Sequence, residues 1–387
     1  MASDRTPDSI AGPVFSGGAF IEDGFVAVEN GRVVDAGPRH GRAADLVLDG
    51  DRLIPGLIDI HVHGAGGSDV MNGVEAIVAV ARTLARHGVT AFLPTAVSAP
   101  RDRLEAFVQD VGEVRRRQAL APVGELGSAV LGANLEGPAI DPGHRGAHDP
   151  AALVTPAEFL RWWDSDPATW KEVRIVTVAP ERPAGMELVR RLVAQGRIAS
   201  VGHTGATYAE AVAAFDEGAA STTHLFNGMT GVHHRQPGVA LAALLHERAR
   251  VELIADGVHV DPAVQVLTRR LVGRDRVILV SDAIPAAGMG DGEYELGGLR
   301  VQVRDGRASL EDGTIAGSTL TLDQTVRRAI AAGFPATEAV AAATVNPASL
   351  LGLGANGRIG PAANADLLVV GASWEVRRVM LGGRWVG

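Results

Sequence analysis

Six residues combine side-chain types that bind metal ions with positions at the ends of apolar segments. Four are histidines and two are carboxylates, namely His61, His63, Glu136, His203, His224 and Asp282. The chain contains no cysteine, so a metal ion would be held by imidazole nitrogens and carboxylate oxygens, which suit Zn²⁺ or divalent iron or manganese. Because a divalent ion lowers the pKa of its water and polarises a carbonyl group, the pattern predicts metal-dependent hydrolysis.

Two of these histidines, His61 and His63, are separated by one residue at the end of the segment LIDIHVH. Side chains alternate along a strand, so both imidazoles are expected on one face with Asp59 behind them. A single histidine is more often a structural residue than a ligand. The alternative for this pair is that it orients a one-metal site from behind, so one or two ions per subunit both stay open.

The carboxylate of Asp282 is our candidate for proton transfer. It ends the apolar segment RVILVSDA, where it would accept a proton from the attacking water and return it to a leaving amine. The alternative is a helix N-cap or turn residue, because aspartate after a strand often caps. Its place at a strand end, shared with the other five residues, favours catalysis.

The elements that must position these residues alternate between strand-like and helix-like segments. Eight apolar segments predict strands: LIDIHVH, VTAFLPT, AVLGANLEG, RIVTVAP, ASVGHTG, ASTTHLF, VELIADG and RVILVSDA. Amphipathic segments lie between them, most ending in glycine. Eight strand-helix repeats predict a (β/α)₈ TIM barrel spanning residues 55–349, with an open doubly wound sheet as the alternative. In a barrel, catalytic groups emerge at the carboxyl ends of different strands, which favours the barrel.

Both ends of the chain predict short strands. Asn30-Gly31 is a hairpin signal between two apolar stretches, and the far C-terminal segment again contains short strands joined at Gly-Gly. Residues 1–54 and 350–387 are therefore expected to form one small β-sandwich domain beside the barrel.

Composition limits the partners. The formal net charge of -9 argues against a nucleic-acid binder, which usually presents a basic face. The apolar runs are short and the N-terminus lacks the order of a signal peptide, so we expect no membrane association and a cytoplasmic enzyme.

A set of motifs resembles a known family. HVHG, NLEGP, VGHTGAT, THLFNGM, IADGVHV, LVSDAIPAAG and AGSTLTLD, in this order, resemble the N-acetylglucosamine-6-phosphate deacetylases of the amidohydrolase superfamily. The resemblance implies that Glu136, His203 and His224 hold the principal ion, zinc or iron with manganese as a further option, and that Asp282 is the acid/base. It also implies that His61 and His63 could hold a second ion together with Asp282, as in some members.

The only lysine bears on how two ions would be bridged. Many amidohydrolases use a carboxylated lysine from the fourth strand, but Lys171 precedes RIVTVAP and so lies at the wrong end of that strand. Glu136 can replace that bridge.

The resemblance also implies substrate contacts. His148 would donate to the acetyl oxygen, the backbone amides of Asn227 and Gly228 would bind phosphate together with Arg235, and His259 would contact the sugar or its phosphate. In similar enzymes the arginine can reach in from a neighbouring subunit, which implies a homodimer.

Each of these contacts has a simpler alternative. His148 shares its loop with His144 and Arg145, and all three could be solvated. Arg235 could form a surface salt bridge, and His259 could be a core histidine. Gly228, where the family often has alanine, and a loop without aromatic residues in EGPAID depart from the common pattern and bear on sugar preference.

The expected reaction is hydrolysis of N-acetyl-D-glucosamine 6-phosphate to D-glucosamine 6-phosphate and acetate. The nearest alternative is the same reaction on N-acetylgalactosamine 6-phosphate, which differs at one hydroxyl group. Deacylation of N-acyl amino acids or cyclic amides is a second alternative. A barrel that serves as a non-catalytic scaffold is the third.

Overall fold

A computed structural model describes residues 8–386, so residues 1–7 and 387 of the expected small β domain lie outside the described residues. The chain begins with a group of strands that pair with one another, β1 and β2 antiparallel and β1 parallel to β4 and β5. Asn30 and Gly31, with φ of 50° and 76°, form the tight turn between β2 and β3, as the sequence predicts. These strands are β1 (Ser9–Ser16), β2 (Ala19–Glu29), β3 (Arg32–Pro38), β4 (Leu46–Val47) and β5 (Arg52–Pro55).

The centre of the molecule is a parallel barrel. The next strands along the chain are β6 (Leu57–Val62), β7 (Gly64–Ala65), β8 (Ser68–Asp69), β9 (Val89–Ala96), β10 (Ala129–Val130), β11 (Ala133–Leu135), β12 (Val173–Val178), β13 (Ile198–Val201), β14 (Ser221–Thr222), β15 (Arg250–Ile254) and β16 (Val277–Val280). The pairing runs in the order β6, β9, β11, β12, β13, β14, β15, β16, and every pair in it is parallel.

The barrel closes between its first and last strands. Val62 forms a parallel bridge with Ala283, and the amide of Asp282 donates to the carbonyl oxygen of His61 at 3.1 Å. A doubly wound sheet would reverse its strand order at a switch point, whereas this order is sequential. The predicted barrel is therefore confirmed.

Helices cover the outside of the barrel. They are α1 (Val74–Arg86), α2 (Arg101–Leu120), α3 (Pro156–Ser165), α4 (Gly185–Ala194), α5 (Tyr208–Asp216), α6 (Gly238–Leu245), α7 (Pro262–Val272), α8 (Leu322–Ala332), α9 (Ala336–Ala342) and α10 (Val345–Leu350). In α1 the buried residues Ile77, Ala81 and Leu84 recur at helical spacing. Within residues 8–386, the helices are each too short or too polar to cross a membrane.

An excursion that the sequence analysis did not predict follows the eighth barrel strand. It is a three-stranded antiparallel sheet made of β17 (Gly292–Leu296), β18 (Leu299–Arg304) and β19 (Arg307–Ser309). The amide of Gly297 at its turn donates to Asp69 Oδ2 at 3.0 Å, which fastens the excursion to the loop after the first barrel strand. Leu296 therefore lies at the mouth of the barrel.

The last strands return to the first ones. They are β20 (Leu367–Val370), β21 (Val376–Leu381) and β22 (Arg384–Val386). β20 pairs antiparallel with β5, so one sheet runs in the order β22, β21, β20, β5, β1, β2, β3. Val26, Leu53, Leu367 and Met380 belong to its own apolar core. The expected small β domain from both chain ends is confirmed as this hydrogen-bonded sheet, while its boundaries at 54 and 350 stay a prediction.

Candidate metal centre and active site

The six predicted metal-binding residues gather at the carboxyl end of the barrel. His61 lies on β6 with His63 just beyond it, and the other four follow different strands: Glu136 after β11, His203 after β13, His224 after β14 and Asp282 after β16. All six side chains are buried. Since parallel strands of a barrel end at one mouth, residues distant in sequence share one site.

Glu136 lies at the centre of this cluster. Its Oε1 is 3.0 Å from His203 Nε2 and 2.6 Å from His224 Nε2, and the two Nε2 atoms are 3.1 Å apart. These three residues form one group whose ligand atoms could hold a metal ion together. They are the residues that the resemblance assigned to the principal ion.

A second group shares Glu136. His61 Nε2 lies 3.5 Å from Glu136 Oε1 and His63 Nε2 lies 3.3 Å from Glu136 Oε2. Asp282 Oδ1 approaches the same two histidine nitrogens, at 3.5 Å and 3.2 Å. One carboxylate therefore stands between two sets of imidazoles, where a bridge between two ions would be.

The hydrogen bonds around the cluster show that these residues fit a cation. His203 Nδ1–H donates to the carbonyl oxygen of His144 at 2.8 Å, and His63 Nδ1–H donates to that of Thr95 at 3.0 Å. A proton on Nδ1 leaves a lone pair on each Nε2, and those lone pairs face carboxylate oxygens and one another. Among the described residues His61 Nε2 is buried without a hydrogen-bond partner. Such a convergence of acceptors is repulsive unless a positive charge lies between them.

The charges of the site follow from the same arrangement. Burial would raise the pKa of Glu136, but the neighbouring histidines, His61 first among them, hold it well below its usual range. Burial would lower the pKa of His63, yet its hydrogen bonds to Asp282 and Glu136 raise it to about 9. The ionised carboxylates thus draw positive charge into a buried site, as a proton or as a metal ion.

Three of the cluster residues have a left-handed backbone. The φ angles of His203, His224 and Asp282 are 46°, 27° and 50°. This conformation is uncommon for residues with a side chain and costs on the order of 1–3 kcal/mol each, and it concentrates at functional sites. The backbone of the turns after β13, β14 and β16 is therefore strained, and this conformation directs the three side chains into the cluster. None of the described helices begins at Asp282, so it is not a helix N-cap.

His148 faces the cluster from the loop that follows Glu136. The Ser98 amide donates to its Nδ1 at 3.0 Å, and the Ser98 hydroxyl oxygen is 2.8 Å from the same atom. The ring proton is therefore on Nε2, which lies 3.3 Å from Glu136 Oε2. Burial lowers the pKa of His148 to about 4, so it is a neutral N–H donor. Ser98, which sequence reasoning missed, lies three residues after the second predicted strand VTAFLPT.

A cavity of about 310 Å³ opens above the cluster. Asn227, Gly228 and His259 line it together with His148, and Leu296 of the unpredicted excursion also lines it. His259 Nδ1 is 2.7 Å from Asp256 Oδ2. Burial would lower the pKa of His259, but Asp256 raises it. The structure thus brings four of the five predicted substrate residues to one cavity.

Gly228 packs closely against a cluster histidine. Its φ is 56°, and a Cβ atom there would lie 2.8 Å from His203 Nδ1. A side chain at this position would press on a cluster histidine, so glycine lets the loop approach His203 closely.

Arg235 is the remaining predicted substrate residue, and it does not line the cavity of its own chain. It lies exposed on the loop between β14 and α6, with Nη1 2.7 Å from His234 Nε2. On the His148 loop, His144 Nδ1 pairs with Asp141 Oδ2 at 2.7 Å, and Arg145 donates to the carbonyl oxygens of Gly146 and His148. Both side chains are thereby committed to holding the loop.

Lys171 is exposed in the 3₁₀ turn Thr169–Glu172, directly before β12. It is thus at the opposite end of the barrel from the cluster, as the sequence predicts.

A second residue that sequence reasoning missed is Glu252 on β15. It is fully buried, and its Oε2 accepts from His61 Nδ1–H at 3.1 Å. The signal that would have found it is a glutamate inside the apolar strand VELIADG.

A larger cavity, of about 690 Å³, lies at the other end of the barrel, against the small β sheet. Its lining includes Thr90, Gln118 and Asp366. Of the described residues that line it, none is a histidine and one, Asp366, carries a carboxylate. Among residues 8–386, the side chains grouped closely enough to hold a metal ion together are those at the carboxyl end of the barrel.

Comparisons with known proteins agree with this geometry. The profile of the amidohydrolase family matches residues 52–386. An N-acetylgalactosamine-6-phosphate deacetylase of Escherichia coli O157:H7 is 37% identical, over 87% of this chain and 88% of its own length. An N-acetylglucosamine-6-phosphate deacetylase of Vibrio furnissii is 35% identical, over 96% and 93%. A mutant N-acetyl-D-glucosamine-6-phosphate deacetylase of Mycobacterium smegmatis, solved with N-acetyl-D-glucosamine 6-phosphate, superimposes with a TM-score of 0.89 at 36% identity, covering 98% of this chain and 99% of that one.

Proposed function

The chain belongs to the amidohydrolase family, and on that premise we propose that it hydrolyses N-acetyl-D-glucosamine 6-phosphate to D-glucosamine 6-phosphate and acetate. It is a metal-dependent amide hydrolase. The observation that carries the proposal is the convergence of Glu136, Asp282 and the neutral His148 at one cavity. The volume of this cavity, about 310 Å³, is at the lower end of the range of small-molecule sites.

The residues divide the chemistry among them. Glu136, His203 and His224 would hold one divalent cation, and His61 and His63 with Asp282 would hold a second. A cation in this ligand set lowers the pKa of a water molecule and polarises the acetyl carbonyl group. Zinc or iron is the proposed metal, with manganese as a third option, because imidazole and carboxylate ligands suit all three.

Asp282 moves the proton. Its carboxylate accepts a proton from the attacking water as the oxygen bonds to the acetyl carbon, and it then delivers that proton to the amine nitrogen as the C–N bond breaks. Acetate leaves with the new oxygen, and the sugar leaves as the amine. The site geometry supports this role because Oδ1 lies beside both His61 and His63 at the floor of the cavity.

His148 supplies a donor for the charge that develops on the acetyl oxygen. Its Nε2–H points toward the cluster, and a fixed donor in a dry site stabilises an oxyanion more than a ground-state carbonyl group. Asn227 and Gly228 would bind the phosphate, and His259 the sugar or its phosphate. Arg235 would complete the phosphate site only from the second subunit of a homodimer, which we propose together with a cytoplasmic location.

N-acetyl-D-galactosamine 6-phosphate is the second candidate substrate. The similar enzyme of E. coli O157:H7 is named for that sugar, and the two substrates differ at one hydroxyl group. The chemistry at the acetamide is the same for both, so the choice depends on contacts with the ring hydroxyls.

The test is acetate release by the purified protein from both 6-phosphates, unphosphorylated N-acetylglucosamine and an N-acetyl amino acid. Each substrate is assayed after chelation and after return of Zn²⁺, Fe²⁺ or Mn²⁺. Metal-dependent turnover confined to the phosphorylated sugars is the expected result, with the higher kcat/KM naming the sugar. Turnover of the N-acetyl amino acid instead, or none by folded metal-loaded protein, would overturn the proposal in favour of a deacylase or a non-catalytic scaffold.

A further inference from the structure

Glu252 is a fully buried carboxylate that the mechanism above does not use. It lies on the seventh barrel strand between the apolar residues Val251 and Leu253. Its Oε2 reaches past the eighth strand to His61 Nδ1, 3.1 Å away on the first strand. Burying a carboxylate costs free energy unless the group is paired. Glu252 is therefore expected to have a hydrogen-bonding partner in the barrel interior.

The same oxygen holds a second cluster residue. Glu252 Oε2 accepts from the backbone amide of His224 at 3.2 Å. His61 and His224 belong to the two different groups that could hold a metal ion. Glu252 therefore connects the two groups from beneath, while its Oε1 is buried without a hydrogen-bond partner among residues 8–386.

The pairing distinguishes His61 from the other cluster histidines. The Nδ1–H groups of His63 and His203 donate to neutral backbone carbonyl oxygens. His61 Nδ1–H instead donates to a carboxylate, which leaves the Nε2 lone pair facing Glu136 and Asp282, each 3.5 Å away. A carboxylate behind an imidazole fixes its tautomer and makes it a stronger ligand.

We infer that Glu252 is a positioning residue that strengthens His61 as a ligand and thereby tightens a second divalent cation at His61, His63 and Asp282. The inference rests on the proposed function, since that cation serves the same hydrolysis. It extends that function by naming the residue on which the second ion depends.

The test is a titration of metal-free protein with Zn²⁺ in competition with a chromophoric chelator, without substrate. The unsubstituted protein is expected to bind two ions. Glu252→Gln keeps the shape but removes the charge, and it should weaken one of the two affinities about 10–100-fold. His61→Asn should weaken the same affinity at least as much. Glu338→Gln, which removes a carboxylate paired with Arg269 outside the site, should change neither affinity.

The double variant Glu252→Gln/His61→Asn separates positioning from general stability. If Glu252 acts through His61, the double variant binds zinc no more weakly than His61→Asn alone. Equal weakening by Glu252→Gln in both backgrounds would overturn the inference. So would one bound ion in the unsubstituted protein, or unchanged affinities in Glu252→Gln.

One further variant and the choice of readout keep the result clear. If Glu252→Gln does not fold, Glu252→Asp retains the charge but withdraws it from His61, and it carries the same expectation. Because zinc binding is measured without substrate, a coupled loss of zinc in a protein that releases no acetate would overturn the proposed function and leave the role of Glu252 standing.

Discussion

The two ends of the barrel differ in how much space they enclose and in what they put there. The amino end, against the small sheet, holds a cavity of about 690 Å³, whereas the carboxyl end holds one of about 310 Å³ that is lined by five of the six cluster residues. By size alone, the amino-end cavity would be the first of these two to be considered as an active site. Here the direction of parallel strands is the better guide, because it gathers residues such as Glu136 and Asp282 that no single segment contains.

The difference between the two ends depends most on Glu136. Glu136→Gln removes the charge that both histidine groups share, so we expect loss of bound metal and a fall in kcat of roughly four orders of magnitude or more. Acetate release and elemental analysis of the folded variant measure this. A variant that keeps its metal and a tenth of its activity, on the order of what a peripheral ligand leaves, would show that the cluster is not centred on this residue.

Asp282→Asn tests proton transfer at the same end. The amide cannot accept the proton of the attacking water, so kcat should fall by about 10²–10⁴-fold while the cation that we propose at Glu136, His203 and His224 is retained. Steady-state kinetics with metal analysis check the expectation. Near-normal kcat in folded, metal-loaded protein would assign the acid/base to another residue.

His148→Ala is expected to have the next largest effect. Loss of one oxyanion donor lowers kcat by about 10²–10³-fold with little change in KM. His144→Asn is the matched control, because His144 is on the same loop but its ring pairs with Asp141. Comparable losses in the two variants would mean that the loop, and not the Nε2–H donor of His148, is responsible.

At the amino end, Asp366→Asn should leave kcat and KM unchanged and alter only stability. Burial raises the pKa of Asp366 above that of the unfolded chain, about 3.9, even though the Gly382 amide donates to its Oδ1. Its stabilising contribution is therefore present below the unfolded pKa and lost as pH rises through the folded one. Asparagine is neutral throughout, so the Tm of the variant relative to the unsubstituted protein should increase as the pH rises above about 4.

Assays of the same variant also test whether the amino-end cavity has a function. A loss of activity in Asp366→Asn at unchanged stability would give the amino-end cavity a functional role. A Tm difference that is independent of pH would show that folding does not raise the pKa of Asp366.

The features that could be predicted from the sequence are those that depend on patterns repeating or alternating along the chain. The strand-helix repeats predicted the barrel, and the placement of His61, His203 and Asp282 after apolar segments predicted that they share one mouth. The alternation in β6 accounts for His61 and His63 pointing the same way.

The remainder depends on contacts that no local pattern contains. In the sequence, Glu252 is a single polar residue within an apolar strand. Its contact with His61 arises only because the barrel closes. The excursion β17–β19 was hidden by a glycine-rich stretch typical of a loop, and Leu296 reaches the cavity only because Gly297 is fastened to Asp69. Arg235 matched a motif position, yet its side chain lies outside the cavity of its own chain.

The pairing of β5 with β20 has a consequence for how the protein is made. Pro55 and Leu367 are partners in adjacent strands although they are about 310 residues apart in the chain. At a synthesis rate of about 5–20 residues per second, β5 is synthesised roughly 15–60 s before its partner β20. During that interval the N-terminal strands present an open sheet edge to the cell, so chaperone demand and nascent-chain aggregation should concentrate there and not in the catalytic barrel.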